Sequence, residues 1–509
     1  MTSRSANRHL RPNSTGEQSD RLQLGPCTVR VTGDTSYLST AAGQHLAQMT
    51  VNLLARQYDV TKEIYIDVPQ VPVASHVFPG CPPTSNLSTA LLEWGKRIAG
   101  PEIRVLEHNL RAAPGAIIYI GAGNAGGTDL VINVTADGWR LQCSTEKRVV
   151  DANSTDTNPH GPYLAACFAA GAIFRYFIGG DPRTDLCASL WDYKQGPWDA
   201  LAVGRAPSGL SLPTTYLVGA GAVGAGLAFT LAATPNISGD LIIIDPQRTE
   251  ETNRNRLLSM HYDQVDRDKA SLAYDLFRYT NIRAYPYVGR WPDYTADSQR
   301  RTPAPIREVE RTYRYEWVLS CVDRNAHRQA IATYIPKVSI GGSTLDLTAQ
   351  AAAYSMRGEC ECLACNHPLP HLLSTEDLTQ KLASKTQQER RQWYDGHDAS
   401  PQQRAAIEEF LVAPTCGSIG EQALIALGRE GPTDWAVGFV SVAAAVMQSA
   451  TYLRGVANGM NAILTDGSER FAWFGKANLG RSYARRNPTC DVCTSSKAQA
   501  RYDGLWNHV

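Results

Sequence analysis

The sequence predicts an α/β protein made of two halves, with a helical insertion in the second half. In both halves, stretches with helical spacing of apolar residues alternate with short apolar runs that are typical of buried strands. A Pro- and Gly-rich stretch at residues 195–213 separates the halves and is typical of a linker. The composition turns charged and Gln-rich within residues 366–415, which predicts helices outside the main sheet. We therefore expect a first half at residues 21–200 and a second half at residues 201–509.

The amino-terminal residues and the overall composition limit the classes of protein that the chain can represent. Residues 1–20 are polar and lack an apolar centre, so we expect a disordered leader and no signal peptide. The 12 cysteines then suit a reducing, cytoplasmic compartment, where they serve as core residues, metal ligands or nucleophiles. Basic and acidic residues number 49 each, which argues against binding nucleic acid or a membrane by bulk electrostatics. The longest uncharged run, residues 206–239, contains three prolines and predicts a strand-turn-helix, not a membrane span.

The first half has the pattern of a mixed α/β domain. Its elements alternate along the chain: helix 35–58, strand 63–68, helix 90–97, strands 116–120 and 130–134, and a buried helix 163–178. Gly121, Gly123 and Gly126 match the pattern G-x-G-x-x-G after a strand, but the residues that follow them are strand-like. Because a phosphate cradle needs the N-terminus of a helix, we expect no nucleotide site at this turn.

The second half opens with a strand, a glycine turn and a helix. Gly219, Gly221 and Gly224 form a second match to G-x-G-x-x-G, and here the turn follows a strand directly and opens an apolar helix. Backbone N–H groups and the positive end of that helix can face a phosphate. Asp245 closes the next strand, 21 residues after Gly224, where a carboxylate can accept the ribose hydroxyls. The turn therefore predicts a nucleotide site in a Rossmann-like half, with helix–strand packing alone as the alternative.

Polar residues after Asp245 favour a polyphosphate over a nicotinamide dinucleotide. Asn253, Arg256 and Lys269 supply an amide, a guanidinium and an ammonium, more positive charge than a dinucleotide needs. A solvated, charged helix start would have a similar composition. Asp323 follows an apolar strand, so it lies at the carboxyl edge of the predicted sheet. There it could hold Mg²⁺ that bridges phosphates.

Two cysteine pairs predict a metal site. Cys362-x-x-Cys365 and Cys490-x-x-Cys493 together offer the four thiolates of a tetrahedral structural zinc site. The 124 residues between the pairs mean that the fold must bring them together. Cys360 lies close enough in sequence to replace Cys362, so both assignments stay open.

These residues resemble the ubiquitin-activating and molybdopterin-synthase adenylyltransferase superfamily, which has a ThiF-like fold. The resemblance runs from 216 to 269, resumes around Asp323 and returns at the cysteine pairs, over some 250 residues. It implies that the second half is an active adenylation domain that uses ATP, Mg²⁺ and structural Zn²⁺. The implied ATP-binding residues are Gly219, Gly221, Gly224, Asp245, Asn253, Arg256, Lys269 and Asp323, with Asp323 also holding Mg²⁺ and the reacting α-phosphate.

This chain departs from the family pattern at two places. Gln247 stands where the family usually carries a second acidic residue, which puts a metal or ribose contact there in doubt. Arg324-Asn325 follows Asp323, whereas the family commonly has asparagine directly after the aspartate. By the same resemblance, the first half is an inactive adenylation-like domain that packs against the active one. Arg21 is a candidate for the arginine that the facing half donates to the phosphates in this family.

The family reaction implies a function and a nucleophile. The C-terminal carboxylate of a ubiquitin-like or sulfur-carrier protein attacks the α-phosphate of ATP, with Arg256 and Lys269 neutralising charge, to give an acyl adenylate and pyrophosphate. Ubiquitin-activating members then form a thioester on a cysteine. Cys416 precedes an apolar helix, where a thiol pKa is lowered, and is the candidate nucleophile; a packed cysteine at a helix start is the alternative.

We therefore interpret the chain as an activating enzyme for a ubiquitin-like protein that passes its thioester to a conjugating enzyme. The layout is most similar to bacterial ubiquitin-like conjugation systems of antiphage operons, which implies a role in antiviral defence. A sulfur-carrier adenylyltransferase that stops at the adenylate, and a catalytically silent scaffold that binds a ubiquitin-like partner, are the alternatives. Sulfur-carrier enzymes build the paired arrangement by homodimerising, so a homodimer also stays open. A nicotinamide dehydrogenase is disfavoured, because it leaves Arg256, Lys269 and the cysteine pairs unexplained.

Overall fold

The computed structural model describes most of the chain between Cys27 and Trp506. The residues in this span that it does not describe are 59, 83–85, 108–113, 124, 126–127, 129, 153–154, 298–305, 308–309, 311–313, 346, 358–359, 366, 368–374, 397–398, 414–417, 421–422, 425–436 and 465–468. The leader predicted at residues 1–20, together with Arg21 and Cys416, lies outside the described residues.

The first half contains a mixed sheet, which has seven strands among the described residues, in the order β3-β2-β1-β4-β5-β6-β7. Strands β3, β2, β1, β4 and β5 run parallel, and β6 and β7 continue the sheet antiparallel. Their bounds are β1 Cys27–Gly33, β2 Thr61–Asp67, β3 Arg104–Glu107, β4 Ala116–Ile120, β5 Leu130–Asp137, β6 Arg140–Ser144 and β7 Asp185–Ser189. The parallel part agrees with the alternation of helix and strand, since parallel neighbours need crossover helices.

The helices of the first half are α1 Thr35–Leu38, α2 Ala41–Leu54, α3 Leu87–Ala99 and α4 His160–Phe177. The single helix predicted at 35–58 is interrupted at Thr40, which has an extended backbone and accepts a hydrogen bond from the Gly43 N–H as the cap of α2. Nearly every residue of α2 and α4 is buried. Helices buried on all sides must pack between two layers, which places α2 and α4 in the interior of the molecule.

The second half contains a second mixed sheet, with eight strands among the described residues, in the order β10-β9-β8-β11-β12-β13-β14-β15. The strands from β10 to β12 are parallel, and β13 to β15 are antiparallel. Their bounds are β8 Ser211–Val218, β9 Ser238–Ile244, β10 Asn281–Tyr287, β11 Trp317–Ser320, β12 Val338–Leu345, β13 Thr348–Tyr354, β14 Glu469–Trp473 and β15 Asn478–Ser482. The order reverses between β9-β8 and β11-β12, and ligands of open α/β sheets bind at such a point.

The helices of the second half are α5 Ala222–Ala233, α6 Lys269–Asp275, α7 Trp291–Ala296, α8 Asn325–Ala332, α9 Thr375–Ala383, α10 Gln387–Gly396, α11 Pro401–Val412, α12 Gly438–Asn458, α13 Asn461–Leu464 and α14 Ser496–Trp506. Helices α9 to α11 form the insertion, which has a small core of its own around Leu382, Tyr394 and Ile407. Of the helices that the structure describes, none is both long and apolar enough to cross a lipid bilayer.

The two halves pack through α4 of the first half and α12 of the second, with α2 packed on α4 and α5 packed on α12. Helices α5 and α12 approach each other closely at Gly226, which has no side chain. A Cβ atom there would lie only 2.8 Å from the Cβ atom of Ala445. Between the halves, the His160 ring bonds the Ser449 hydroxyl at 2.8 Å. One hydrophobic core thus runs through both halves, and the prediction of two Rossmann-like α/β halves is confirmed.

Candidate active site

The glycine turn lies between the end of β8 and the start of α5, and its three glycines have different surroundings. Gly219 has a φ of +94°, and a Cβ atom there would lie 2.8 Å from the backbone oxygen of Cys321. A Cβ atom at Gly224 would lie 1.8 Å from the backbone oxygen of Gly219. At Gly221 nothing lies within 4 Å of such an atom. Gly219 and Gly224 therefore close the turn, whereas Gly221 leaves its backbone open to an approaching ligand.

Asp245 fastens this turn to the end of β9. Its carboxylate is buried, and it accepts hydrogen bonds from the N–H of Ala220 at 2.6 Å and of Gln247 at 2.7 Å. Burial raises the pKa of Asp245, and the two N–H donors oppose that rise. The aspartate that the sequence predicts as a ribose ligand thus also holds the backbone of the glycine turn in position.

Lys269 is the first residue of α6, and its side chain is mostly buried beside Asp245. Its Nζ donates to the Oε1 of Gln247 at 2.8 Å, and the Lys269 N–H donates to the Gln247 backbone oxygen at 3.0 Å. Burial lowers the pKa of Lys269, and the nearby Asp245 opposes that change. Gln247, the first departure from the family pattern, therefore holds the Lys269 ammonium through a neutral amide oxygen. Because this amide carries no charge, the positive charge of Lys269 stays available to a phosphate.

Asn253 and Arg256 lie on the segment between β9 and α6. Asn253 ends a short 3₁₀ turn at Glu251–Asn253, and its Oδ1 accepts from the Glu250 N–H at 3.1 Å. The Arg256 guanidinium donates to the Thr252 backbone oxygen at 2.5 Å and to the Asn255 Oδ1 at 2.8 Å. Both side chains are therefore held by their own segment, with Asn253 acting as a cap and Arg256 directed toward the space in front of the glycine turn.

A cavity of about 620 Å³ brings these groups together at the carboxyl ends of the parallel strands of the second sheet. Seven of the eight residues that the sequence assigns to ATP line it, namely Gly219, Gly221, Asp245, Asn253, Arg256, Lys269 and Asp323. Gly224 does not line it, since it packs under the turn. The side chain of Asp323 is 86% exposed, so its carboxylate is open to a cation. This cavity is large enough for a nucleotide and combines several cationic groups with an exposed carboxylate.

Some of the residues that line the cavity were missed by sequence reasoning. Arg328 lines it from α8 and donates to the Asn325 Oδ1 at 3.0 Å, while burial lowers the pKa of Arg328. The His327 ring lies 4.0 Å from the Asp323 carboxylate. Helical spacing gave no clear signal for these two residues, because Asp323 lies before the start of α8 and Arg328 is five positions after it, on a different side of a helical turn. Arg290 and Trp291 also line the cavity, but they lie at the start of α7 and carry no motif.

The corresponding glycine turn of the first half is filled by an acidic side chain. The Asp34 carboxylate accepts from the Gly123 N–H at 2.9 Å and from the Tyr119 hydroxyl at 2.6 Å. A Cβ atom at Gly121 would lie 2.4 Å from the same carboxylate. Gly126, the third glycine of the pattern, lies outside the described residues. A carboxylate thus takes the N–H group that a phosphate would use, which agrees with the expectation of no nucleotide site here.

The two cysteine pairs meet as a four-sulfur cluster. The sulfurs of Cys362, Cys365, Cys490 and Cys493 all lie within 4.8 Å of one another, and the four residues are buried. The S–S separations are 3.8 Å for Cys362–Cys365 and Cys362–Cys490, and 3.4 Å for Cys365–Cys493. Four thiolates about 2.3 Å from a tetrahedral zinc lie roughly 3.8 Å apart. The cluster therefore fits a zinc ion, and it contains Cys362, not Cys360.

The candidate nucleophile Cys416 lies outside the described residues. Ile419 and Gly420, just after it, are helical, and a Cβ atom at Gly420 would lie 2.1 Å from the Ala406 backbone oxygen. The chain that follows Cys416 therefore packs tightly against α11 of the insertion. Its role as a nucleophile stays a prediction.

The sequence matches known families in two consecutive segments. Residues 28–187 match the BilD N-terminal domain, and residues 210–460 match the ThiF family. The chain thus joins a BilD N-terminal domain to a ThiF family domain, and the predicted resemblance is confirmed for these segments.

Individual proteins are more distant. The uncharacterized protein y4jF of Sinorhizobium fredii (strain NBRC 101917 / NGR234) is 26% identical over 274 residues, or 53% of this chain and 49% of that protein. The chain spans about half the length of this curated relative. A crystal structure of E. coli MccB with MccA-N7isoASN has 16% identity and a TM-score of 0.37, covering 55% of this chain and 66% of that chain. E. coli MccB with ATP has 15% identity and a TM-score of 0.35, covering 55% and 67%.

Proposed function

We propose that this chain, with its BilD N-terminal and ThiF family domains, is an ATP-dependent enzyme that adenylates the C-terminal carboxylate of a ubiquitin-like protein. The observation that carries the proposal is the cavity in the ThiF family segment. It combines an open glycine turn, four cationic side chains and an exposed carboxylate at one edge of the sheet. This combination suits a nucleoside triphosphate better than a dinucleotide.

The residues of the cavity have separate roles in this reaction. Gly221 presents backbone to the phosphates, and Arg256 and Lys269 neutralise the charge that develops on them. An oxygen of the incoming carboxylate bonds to the α-phosphorus while the bond from that phosphorus to the bridging oxygen breaks, so pyrophosphate leaves and an acyl adenylate remains. The carboxylate of Asp323 would hold Mg²⁺, which supplies charge neutralisation between phosphate oxygens.

An exposed face of the second sheet next to the cavity supports a protein substrate. Ser343 lines the cavity, and Gln350 and Phe471 lie opposite it in one row across β12, β13 and β14. Leu345 and Trp473 lie on the same face two residues further along and are 55% and 38% exposed. The opposite face of these strands packs against α12. A partly apolar surface next to the cavity suits a small carrier protein whose tail must reach the α-phosphate.

The finer part of the proposal is a second step on Cys416. Its thiolate attacks the carbonyl carbon of the acyl adenylate, AMP leaves, and the carrier is held as a thioester for transfer to a conjugating enzyme. The proposal rests on the position of Cys416 in the sequence, just before an apolar helix, where the pKa of a thiol is lowered. The alternative is a sulfur-carrier adenylyltransferase that stops at the adenylate.

The first step is tested by ATP–pyrophosphate exchange with purified small carrier proteins that end in glycine. The variants Lys269→Met and Asp323→Asn should lower the carrier-dependent exchange by about 100-fold or more, because each removes charge stabilisation at the reacting phosphates. Lys96→Met and Asp181→Asn are matched controls, since these exposed side chains belong to the first half and should leave the rate unchanged. A wild-type protein without exchange, whichever carrier is added, would instead support a silent scaffold.

The second step is tested on a non-reducing gel. The wild type should form a carrier adduct that a thiol reagent cleaves, and Cys416→Ala should lose the adduct while it keeps the exchange. Cys81→Ala, a change at a half-buried cysteine of the first half, should keep both. If the wild type exchanges pyrophosphate but never forms a thiol-sensitive adduct, the enzyme stops at the adenylate.

A further inference from the structure

We propose that Arg56, in the first half, is a positioning residue that holds the phosphate-binding segment of the second half in its active conformation. The segment comprises residues 253–260 and carries Asn253 and Arg256. The inference rests on the proposed function, in which Arg256 contacts the phosphates of ATP. Under this inference the first half takes part in nucleotide binding, although its own glycine turn is filled by Asp34.

The guanidinium of Arg56 bonds the backbone of the second half directly. Arg56 follows the end of α2, its side chain is 1% exposed, and its Nε donates to the Asn52 Oδ1 at 2.9 Å. Its two terminal nitrogens cross to the other half. One donates to the Arg254 backbone oxygen at 2.7 Å, and the other donates to the Met260 and Leu258 oxygens at 2.8 and 3.3 Å.

The three carbonyl groups surround the residue that faces the cavity. Arg254 and Leu258 lie two positions before and two positions after Arg256, so one planar guanidinium ties the backbone on both sides of it. Arg56 thus binds the back of the segment, while Arg256 lines the cavity on its front. Any rotation of the segment about its own axis would break at least one of these bonds.

The positive charge of Arg56 is compensated mainly by its hydrogen bonds to these carbonyl groups. Burial lowers its pKa to about 10, so the side chain stays cationic at neutral pH. Among the residues that the structure describes, no carboxylate forms an ion pair with it. A buried cation must be compensated, and backbone oxygens from the other half provide most of that compensation. The contact is therefore specific to the docked arrangement of the halves.

A second contact from the first half supports the end of the same segment. The Tyr262 N–H donates to the Arg97 backbone oxygen at 2.9 Å, and the Tyr262 ring covers Gly100, where a Cβ atom would lie 2.3 Å from it. The Arg254 guanidinium stacks over the Tyr262 ring at 3.9 Å and donates to its backbone oxygen at 3.0 Å. The chain just after the segment is thus also attached to the first half, and Arg254 links it to the start of the segment.

The chain offers a matched control for the loss of a buried arginine. Arg175 is 5% exposed and donates to the backbone oxygens of Pro182 and Arg183 and to the Thr184 hydroxyl. All of these acceptors belong to the first half. Arg175→Gln, like Arg56→Gln, therefore removes a buried guanidinium and its hydrogen bonds to backbone oxygens. Unlike Arg56→Gln, it leaves the contacts of the phosphate-binding segment intact.

The test measures ATP affinity by calorimetry, the KM values for ATP and for the carrier by pyrophosphate exchange, and hydrogen exchange in peptides that cover residues 251–262. Arg56→Gln should raise the dissociation constant and the KM for ATP by about tenfold or more, leave the KM for the carrier unchanged, and speed hydrogen exchange in those peptides. Arg56→Lys keeps the charge and should recover part of the affinity. Arg175→Gln should lower the melting temperature but change none of these three readouts.

The outcomes separate this inference from the proposed function. If the wild type binds ATP and Arg56→Gln binds it equally well with unchanged hydrogen exchange, the inference is wrong and the function stands. If Arg175→Gln weakens ATP binding as much as Arg56→Gln, Arg56 has only a general structural role. If Arg56→Gln loses ATP affinity but the wild type never exchanges pyrophosphate, the inference stands and the adenylation function fails. Should Arg56→Gln not fold, wild-type hydrogen exchange at residues 251–262 in Arg56→Lys would overturn the inference.

Discussion

Replacing Gly224 with alanine should destabilise the second half, whereas the same change at Gly221 should spare stability and weaken ATP binding. A Cβ atom at residue 224 would lie 1.8 Å from the Gly219 backbone oxygen, and close carbon–oxygen contacts in proteins are roughly 3.3 Å. Helix α5 would have to move by about 1.5 Å to make room. Because α5 already packs closely on α12 at Gly226, the structure resists that shift. We expect a loss of about 3 kcal/mol or more and a melting temperature lower by roughly 3–5 °C.

The expected result at Gly221 is the reverse. Its φ and ψ of −71° and −157° suit alanine, and a Cβ atom there meets nothing within 4 Å. Stability should therefore stay within about 0.5 kcal/mol of the wild type. The added methyl group faces the cavity, where the phosphates must approach the backbone, so ATP affinity should fall by about tenfold or more.

Thermal unfolding followed by circular dichroism and ATP titration by calorimetry measure the two effects. Gly196→Ala is the matched control, because a Cβ atom there also meets nothing within 4 Å and the residue is remote from the cavity lining. It should change neither quantity. Wild-type unfolding of Gly224→Ala, or wild-type ATP affinity of Gly221→Ala, would refute the roles that we assign to these glycines.

Three further predictions concern the sulfur cluster, the interface between the halves and the first half. Cys493→Ser should release about one zinc per chain in a colorimetric assay and lower the melting temperature, because a structural zinc site contributes folding energy. Lowering the pH from 7 to 5 should cost about 2 kcal/mol for each of His45 and His160, as urea midpoints would show. Burial lowers the pKa of both to about 3 from the ordinary 6.5, so their stability contribution is present above pH 6.5 and lost as the pH falls toward 3. Asp34→Ala should lower the melting temperature by a few degrees through two lost hydrogen bonds, and leave the KM for ATP unchanged.

Each of these predictions has a control. Cys360→Ser should keep the metal, and loss of zinc in that variant with retention in Cys493→Ser would contradict the cluster. His160→Gln should remove about half of the pH dependence, and stability that stays flat from pH 7 to 5 would rule out the histidine account. A change in the KM for ATP in Asp34→Ala would mean that the first half takes part in nucleotide binding near its own glycine turn.

The strand, turn and helix around Gly219 were predictable from the sequence because their signals are local. The glycines, the apolar strand before them and the helix after them lie within some 20 residues, and Asp245 follows at the spacing of the next strand. The same reasoning distinguished the turn at Gly121, because a strand and not a helix follows it. The sequence did not indicate that Asp34 fills that turn, since the contact joins the ends of two neighbouring strands.

The sequence by itself determined the fold class, seven of the residues that line the cavity and the chemistry of the cysteine pairs, because each depends on residue type and on short spacings. Only the tertiary structure decided which groups converge from distant segments. In the folded chain, Cys362 and not Cys360 belongs to the sulfur cluster. Arg290, Trp291 and Arg328 line the cavity, and Arg56 lies behind the phosphate-binding segment. Such contacts join residues that are far apart in the chain, as Arg56 and Leu258 are at 202 positions, and packing of the two halves sets them. No local pattern in the chain specifies that packing, which follows from how the buried helices of both sheets fit together.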